Sequence, residues 1–507
     1  MSNFEAFVEQ VEEGYTFKGD SILLGTAMLD GGAIRNVHVR APLKTFNRHG
    51  LIAGATGTGK TKTLQNLAER LSESGVPVLL MDIKGDLSGL SQASAGHPKI
   101  DERHEQIGSP WEGKAYPTEL LTISEQDGVR MRATISEFGP VLLSKILGLN
   151  DTQSGVVSVV FKYCDDNGLP LLDVKDFRKV LQYISDQGKA EIEQHYGYVS
   201  ASSVGAIMRK LLAVEEQGAD LFFGEKSFDV EDLMRVDERG MGYINILRLD
   251  DIQSKPKLFS TFMLCLLAEI YEKLEEQGDK GQPELVIFID EAHLIFDEAS
   301  KALLDQIEIM VKLIRSKGVG LFFCTQNPTD VPDDVLSQLG MKIQHALRAF
   351  TAKDRKAIKL TAENYPITEF YETDELLTRL GIGEAIITVL NEKGIPTPLV
   401  HTLLTAPSSR MDVITDDEKE DILKSSKLME KYSETIDRES AYEMLIDKLN
   451  QAEVREEKQQ QEAGSKTSST RRRPEKSTFE KIADHSLTKS IVRELARGLM
   501  GVLRKSF

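Results

Sequence analysis

Short apolar runs that end on a polar or glycine tip recur along this chain, separated by segments whose apolar residues fall at helical spacing. Leu51-Ile52-Ala53, Val76 to Asp82, Tyr243 to Leu247, Leu285 to Ile289, Gly320 to Gln326 and Lys342 to Arg348 read as strands of a buried sheet. Leu64, Leu67, Ala68 and Leu71 predict a helix over 63–71, and further helices are expected at 258–276 and 299–316. The last of these carries Leu303, Ile307, Met310, Val311 and Ile314 and stops near Gly318. Alternation of this kind predicts an α/β fold with a mostly parallel central sheet. Glu384 to Leu390 and Thr397 to Leu404, around Glu392-Lys393-Gly394, read as a closing hairpin.

The flanking regions follow other patterns. Residues 1–48 hold a short helix, with Phe4, Phe7, Val8 and Val11 on one side and its end at Gly14, then strands at Ile22 to Gly25 and Val37 to Val39. The stretch 92–118 is rich in Ser, Gly, Pro and His, includes the single tryptophan Trp111, and reads as a long loop. Helical spacing resumes at 141–147, 156–163, 174–184 and 204–214. Residues 91–239 are therefore expected to be a helical insertion in a core built from 49–90 and 240–405. A charged helical region follows at 406–462, with a thin apolar stripe through Leu423, Leu428, Tyr442, Leu445 and Leu449. Residues 463–477 read as a flexible linker. Residues 478–507 read as a basic amphipathic helix, with Lys489, Arg493, Arg497, Arg504 and Lys505 against Ile491, Leu495, Leu499 and Leu503.

Composition changes this picture in three ways. At 507 residues the chain is long enough for more than one domain. A balance of 62 basic against 80 acidic residues argues against a surface that coats nucleic acid, while leaving room for DNA held by a few cations in a ring lumen. Cys164, Cys265 and Cys324 have no metal-ligand spacing and suit free thiols in a reducing cytoplasm. The acidic, polar start Met1-Ser2-Asn3-Phe4-Glu5 does not resemble a signal peptide, and the apolar run Phe259 to Leu267 is too short to span a bilayer, so no membrane partner is expected.

The chemistry concentrates at the tips of the apolar runs. Gly54-Ala55-Thr56-Gly57-Thr58-Gly59-Lys60-Thr61 follows a strand and opens a helix, the context in which G-x-x-x-x-G-K-[ST] cradles phosphates. The glycines let backbone N–H groups turn inward, the helix adds its positive end, and Lys62 extends the binding run by one residue. Lys60 would reach the β- and γ-phosphates of ATP, and Thr61 would ligate Mg²⁺. The strand at 285–289 ends in Asp290-Glu291, where Asp290 would hold Mg²⁺ through water and Glu291 would take a proton from the attacking water. Gln326, at the tip of another strand, is placed to sense the γ-phosphate or that water. For Asp82 and Asp86, at the end of a strand expected beside the phosphate-loop strand, one reading is that either orders Mg²⁺-bound water or the attacking water, the other that it is a loop carboxylate capping a helix. After Lys60, no arginine in the phosphate loop or beside Asp290-Glu291 can offset transition-state charge, which calls for an arginine from a neighbouring subunit. Arg348 at a predicted strand tip comes first, with Arg355 and Arg315 as the other candidates.

Together, the phosphate loop, Asp82-Ile83-Lys84-Gly85-Asp86, Phe288-Ile289-Asp290-Glu291-Ala292-His293, Thr325-Gln326-Asn327-Pro328 and Leu380-Gly381-Ile382-Gly383-Glu384-Ala385 resemble the HerA/FtsK branch of RecA-like P-loop ATPases, most closely the bacterial YjgR-type HerA-like proteins. The resemblance covers roughly residues 15–405. It implies a homo-oligomer, a hexameric ring hydrolysing ATP with Mg²⁺ between subunits, and double-stranded DNA as the polymer moved. HerA itself carries an N-terminal β-barrel and pairs with a nuclease; about forty residues precede the loop here, so the nuclease partner is not carried over. Competing readings are fewer. Asp290-Glu291-Ala292-His293 invites a DEAH-box helicase, but the Ser-Ala-Thr and arginine-rich motifs of that class do not occur. An ATP-dependent remodeller would need a helical lid where 384–404 reads as strands. A nucleotide-gated scaffold would have little use for Glu291 and Gln326.

Overall fold

The computed structural model describes residues 2–466 except 253–254, 279, 297–300, 435 and 437. The described residues up to Leu445 form one compact unit and those from Ile446 a second. The expected basic helix at 478–507 lies outside the described residues, as does most of the linker expected at 463–477. The helix Ala441–Lys466 takes in the start of that linker.

Among the described residues, twelve strands form one sheet. In chain order they are β1 (Ser21–Leu29), β2 (Gly32–Pro42), β3 (Gly50–Ala53), β4 (Val78–Asp82), β5 (Thr118–Thr122), β6 (Val129–Arg130), β7 (Ile244–Arg248), β8 (Leu285–Ile289), β9 (Val319–Thr325), β10 (Met341–Gln344), β11 (Glu384–Thr388) and β12 (Val400–Leu404). Their spatial order is β2-β1-β12-β11-β10-β3-β9-β8-β4-β7-β5-β6. From β10 to β6 every pairing is parallel; from β10 through β11, β12 and β1 to β2 every pairing is antiparallel. The apolar runs of β3, β4, β8 and β9 are buried at every residue, as strands covered by helices on both faces must be. By contrast β2 has a mixed exposure pattern, which fits its place at the antiparallel edge.

Helix α1 (Asn3–Tyr15) opens with a capping box on Ser2 and Glu5. It packs Phe7 edge-on against Phe370 and Tyr371, and the Tyr15 hydroxyl bonds at the Ile387 and Pro398 carbonyls. This helix ties the amino terminus to the antiparallel end of the sheet. Helix α2 (Lys60–Glu73) follows the phosphate loop.

Three local expectations are corrected. The stretch 92–118 is not all loop: His97 caps a helix α3 (Pro98–Ile107), with Pro98 at its first position, where proline is preorganised for helix. Inside 91–239, β5 and β6 join the parallel sheet beside β7, and apart from α3 the α-helices of this stretch run from Ile135 to Phe222. Finally, β4 is not next to β3, because β9 and β8 lie between them. The hairpin at 384–404 does form, with Glu384 opposite Leu403 and Ile387 opposite Val400.

Candidate active site

Strands β3, β9 and β8 end side by side, with Ala53 opposite Thr325 and Ile289 opposite Phe323. Their carboxyl tips form the crevice in which open α/β sheets bind ligands. The phosphate loop crosses this edge pinned on both sides. The Gly54 N–H donates to the Thr325 carbonyl at 3.2 Å, and the Ala55 N–H to the Ala346 carbonyl at 2.8 Å. Within the loop, Thr58 Oγ1 and Lys60 Nζ both donate to the Ala55 carbonyl, at 2.7 and 3.1 Å. Gly59, at φ 110°, precedes α2 with no side-chain cap, so the first N–H groups of the helix stay available on the loop side. Two glycines are sterically required. A Cβ on Gly54 would stand 2.5 Å from His345 Cβ, and Gly59 takes a left-handed φ that side chains resist.

The loop is also covered from a third direction. Gly383 donates its N–H to the Thr58 carbonyl at 3.1 Å, and Arg103 of α3 grips the same turn through the carbonyls of Ile382, Gly383 and Leu404. Beneath the loop, His345 Nε2 lies 3.0 Å from Thr63 Oγ1. Burial, reinforced by the nearby Lys60 charge, pushes the His345 pKa down to about 4, so the ring is neutral at physiological pH. Burial likewise lowers the Lys60 pKa.

At the end of β8, Asp290 is 2% and Glu291 7% exposed. Glu291 sits at φ 47°, an unusual backbone setting for a side-chain-bearing residue. Lys84 reaches them from the turn after β4, with Nζ 2.5 Å from Glu291 Oε1 and 3.6 Å from Asp290 Oδ2. At 3.6 Å the second contact is an ion pair rather than a hydrogen bond. Asp290 Oδ2 and Glu291 Oε2 are thus buried with no hydrogen-bond partner among the described residues. Burial raises the Asp290 pKa against the opposing pull of Lys84. For Glu291 burial acts the same way, but the hydrogen bond and charge of Lys84 outweigh it and its pKa falls. Gln326 stands exposed at the tip of β9, its Oε1 accepting from Thr56 Oγ1 at 3.4 Å.

Thr61 lies half-buried on the first turn of α2, beside Lys60. The structure therefore brings together Gly54, Ala55, Thr56, Gly57, Thr58, Gly59, Lys60, Thr61, Asp290, Glu291 and Gln326 at one strand edge. It does not bring the Lys62 ammonium there, since that group donates to Met411 O at 2.7 Å and Gln65 Oε1 at 3.1 Å. Asp82 spends its carboxylate on the N–H groups of Gly85, Asp86 and Leu87, closing its own turn. Arg348 is exposed but not on a strand tip, because β10 ends at Gln344. Arg355 is exposed on the helix Ala352–Glu363. Arg315 precedes β9 and so lies at the opposite edge, with about 20 Å of strand between it and Gln326. Lys84, His345 and Arg103 are the site neighbours that sequence reasoning did not single out. Only Lys84 carried a signal, its place in the Asp82–Asp86 motif.

A family model described as Helicase HerA-like C-terminal matches residues 31–506. The chain belongs to this family. Among curated HerA-like relatives, the DNA double-strand break repair helicase HerA of Sulfolobus acidocaldarius is 24% identical over 361 residues, covering 69% of this chain and 64% of its own length. The HerA of Saccharolobus solfataricus is 23% identical over 359 residues, 70% of this chain and 64% of its own. The DNA import protein CedB of S. acidocaldarius is 24% identical over 404 residues, covering 78% of this chain and 58% of its own length. The chain thus spans under two thirds of the length of these relatives. Among solved structures, the bacterial conjugative coupling protein TrwBdeltaN70 superposes with a TM-score of 0.51 at 15% identity, covering 80% of this chain and 94% of its own. The plasmid coupling protein TrwB in complex with ADP and Mg²⁺ gives 0.50 at 15% identity, with the same coverage. The HerA-like chain has the RecA-like P-loop ATPase fold. Among the described residues, no helix is long and apolar enough to cross a membrane.

Proposed function

We propose that this HerA-like chain is an ATP-hydrolysing motor that acts on double-stranded DNA as a homo-oligomeric, hexameric ring in the cytoplasm. One observation carries the reading: the phosphate loop, the buried carboxylates of Asp290 and Glu291 and the amide of Gln326 converge on the tips of three adjacent parallel strands. Lys60 and the N–H groups at the start of α2 bind the triphosphate. The Lys62 backbone belongs to that helix start, while its side chain serves the 405–412 segment.

The residues fit Mg²⁺. Asp290 offers a buried carboxylate oxygen without a hydrogen-bond partner, and Thr61 offers a hydroxyl on the first turn of α2. Among the described residues no cluster of three or more His, Cys, Asp or Glu side chains could hold a metal. That accords with a cation bound by one or two protein oxygens and the phosphates of its nucleotide. When bound, Mg²⁺ supplies charge neutralisation at the phosphates. Glu291 accepts the proton of the attacking water, and Gln326 orients that water. Arg348 of a neighbouring subunit, or Arg355 or Arg315 in its place, offsets the charge of the transferring group. DNA as the polymer is supported by the relatives, a DNA double-strand break repair helicase and a DNA import protein.

Steady-state ATP turnover by purified wild type and Glu291→Gln tests the site. The expected result is turnover in the wild type and its near-complete loss in the variant, with nucleotide still bound. An inactive wild type with tight ATP binding would favour a nucleotide-gated scaffold.

A further inference from the structure

Asp82 closes β4 with its carboxylate turned back on its own loop. Oδ1 accepts from the N–H groups of Gly85 and Asp86 at 2.8 and 3.3 Å, and Oδ2 from Leu87 at 3.0 Å. Gly85 takes φ 73°, so the chain reverses within a few residues. This braced turn carries Lys84 across to the end of β8, where its ammonium meets Oε1 of Glu291. The Lys84 side chain is 36% exposed, so it adds little to the core. Its contact is nonetheless selective. One oxygen of Glu291 is fixed, while Oε2 is buried without a hydrogen-bond partner among the described residues, 3.4 Å from His293 Nδ1.

A glutamate side chain has several rotatable bonds, and proton abstraction demands one oxygen held in one direction. A charge-assisted bond to the other oxygen meets that demand. We propose that Lys84 is a positioning residue for ATP hydrolysis: it anchors Oε1 of Glu291 throughout turnover so that Oε2 faces the attacking water. The proposal rests on the reading of Glu291 as the base. A lock that releases Glu291 only on activation would also use this ion pair, but a lock has no reason to leave Oε2 without a hydrogen bond among the described residues.

The test uses the full chain carrying Lys84→Met or Lys84→Arg. Saturating-ATP turnover is measured beside equilibrium binding of a fluorescent ATP analogue in EDTA, which reads folding and phosphate binding without catalysis. Lys84→Met should lower kcat about 100-fold, the scale of a misplaced general base, and leave analogue affinity within about twofold. Lys84→Arg keeps a charged donor and should recover about tenfold of that loss. In a Glu291→Gln background, Lys84→Met should change nothing further, since both act through one carboxylate. Wild-type kcat in Lys84→Met overturns the proposal, as does faster basal turnover, the mark of a lock, or a matching loss of analogue binding, the mark of a structural role. Wild-type turnover in Glu291→Gln alone would instead remove the base assignment, so the two failures are separable.

Discussion

In the proposed reaction Lys60 and Glu291 act at different stages, and their variants should separate accordingly. Lys60→Ala removes a cation from ground-state phosphate binding and is expected to abolish analogue binding. Glu291→Gln removes only the proton acceptor, and should bind nucleotide like the wild type while slowing turnover at least about 100-fold. Equal affinity loss in both would mean that Glu291 serves binding. Asp82 carries a pH prediction. Burial pushes its pKa up from 3.8 to about 7, so between those values the unfolded chain is ionised while the native carboxyl keeps its proton. Ionisation therefore opposes folding, and the stability contributed by Asp82 falls as pH rises through that window. The melting-temperature advantage of wild type over Asp82→Asn should shrink from pH 5 to pH 7.5; a widening gap would contradict it. At this scale the motif residues were legible because spacing alone defines them. Lys84 stood in view, but its partners lie on another strand. His345 and Arg103 gave no local signal, since a lone histidine or arginine acquires meaning only from what packs on it.

Helix α2 shows why motif reading stops short of an element's full role. Its loop-side face was read from sequence; its other face holds the segment 405–411. Glu69, fully buried, accepts from Ser408 N, Ser409 N and Ser409 Oγ at 2.8, 3.0 and 2.5 Å, while Gln65 and Asn66 bond the carbonyls of Arg410, Thr405 and Ala406. Glu69→Ala leaves buried N–H groups unpaired and should lower stability by about 1–3 kcal/mol, read from the denaturant midpoint at unchanged slope. A change within about 0.5 kcal/mol, the range of ordinary surface substitutions, would show that water replaces the carboxylate. Elements with one clean period were legible, as with β8, β9 and the helix Lys301–Ile314. Helix α3 was not, because Pro, His and Gly around it mimic a loop, though its Arg103 braces the turn over the phosphate loop. Strand β5 escaped for a different reason. Its run Thr118–Thr122 is short and sits among helices, and only pairing with β7 makes it part of the sheet.

Strand order is a property of the whole molecule, and the sequence carried it least. Nothing in the local pattern says that β9 separates β3 from β8, yet that insertion sets Gln326 between the phosphate loop and Asp290-Glu291. The arginine question belongs to this scale too. Arg348, Arg355 and Arg315 are all exposed, and none joins an ion pair among the described residues. Arg348→Ala, inactive alone, should regain turnover when mixed with Lys60→Ala protein, because some interfaces then unite an intact loop with an intact arginine. Arg315→Ala and Arg355→Ala mixed in the same way identify which side chain acts. Mixtures as inactive as their parents, in rings shown to exchange subunits, would place the arginine in cis. The central claim, a DNA-driven ATP motor, meets its most direct test in ATP turnover by size-characterised wild type at low salt, with and without duplex DNA, single-stranded DNA and RNA. The account predicts stimulation by duplex DNA that fades steeply as salt rises, since phosphate contacts dominate. Steady ATP turnover that no nucleic acid alters would contradict it.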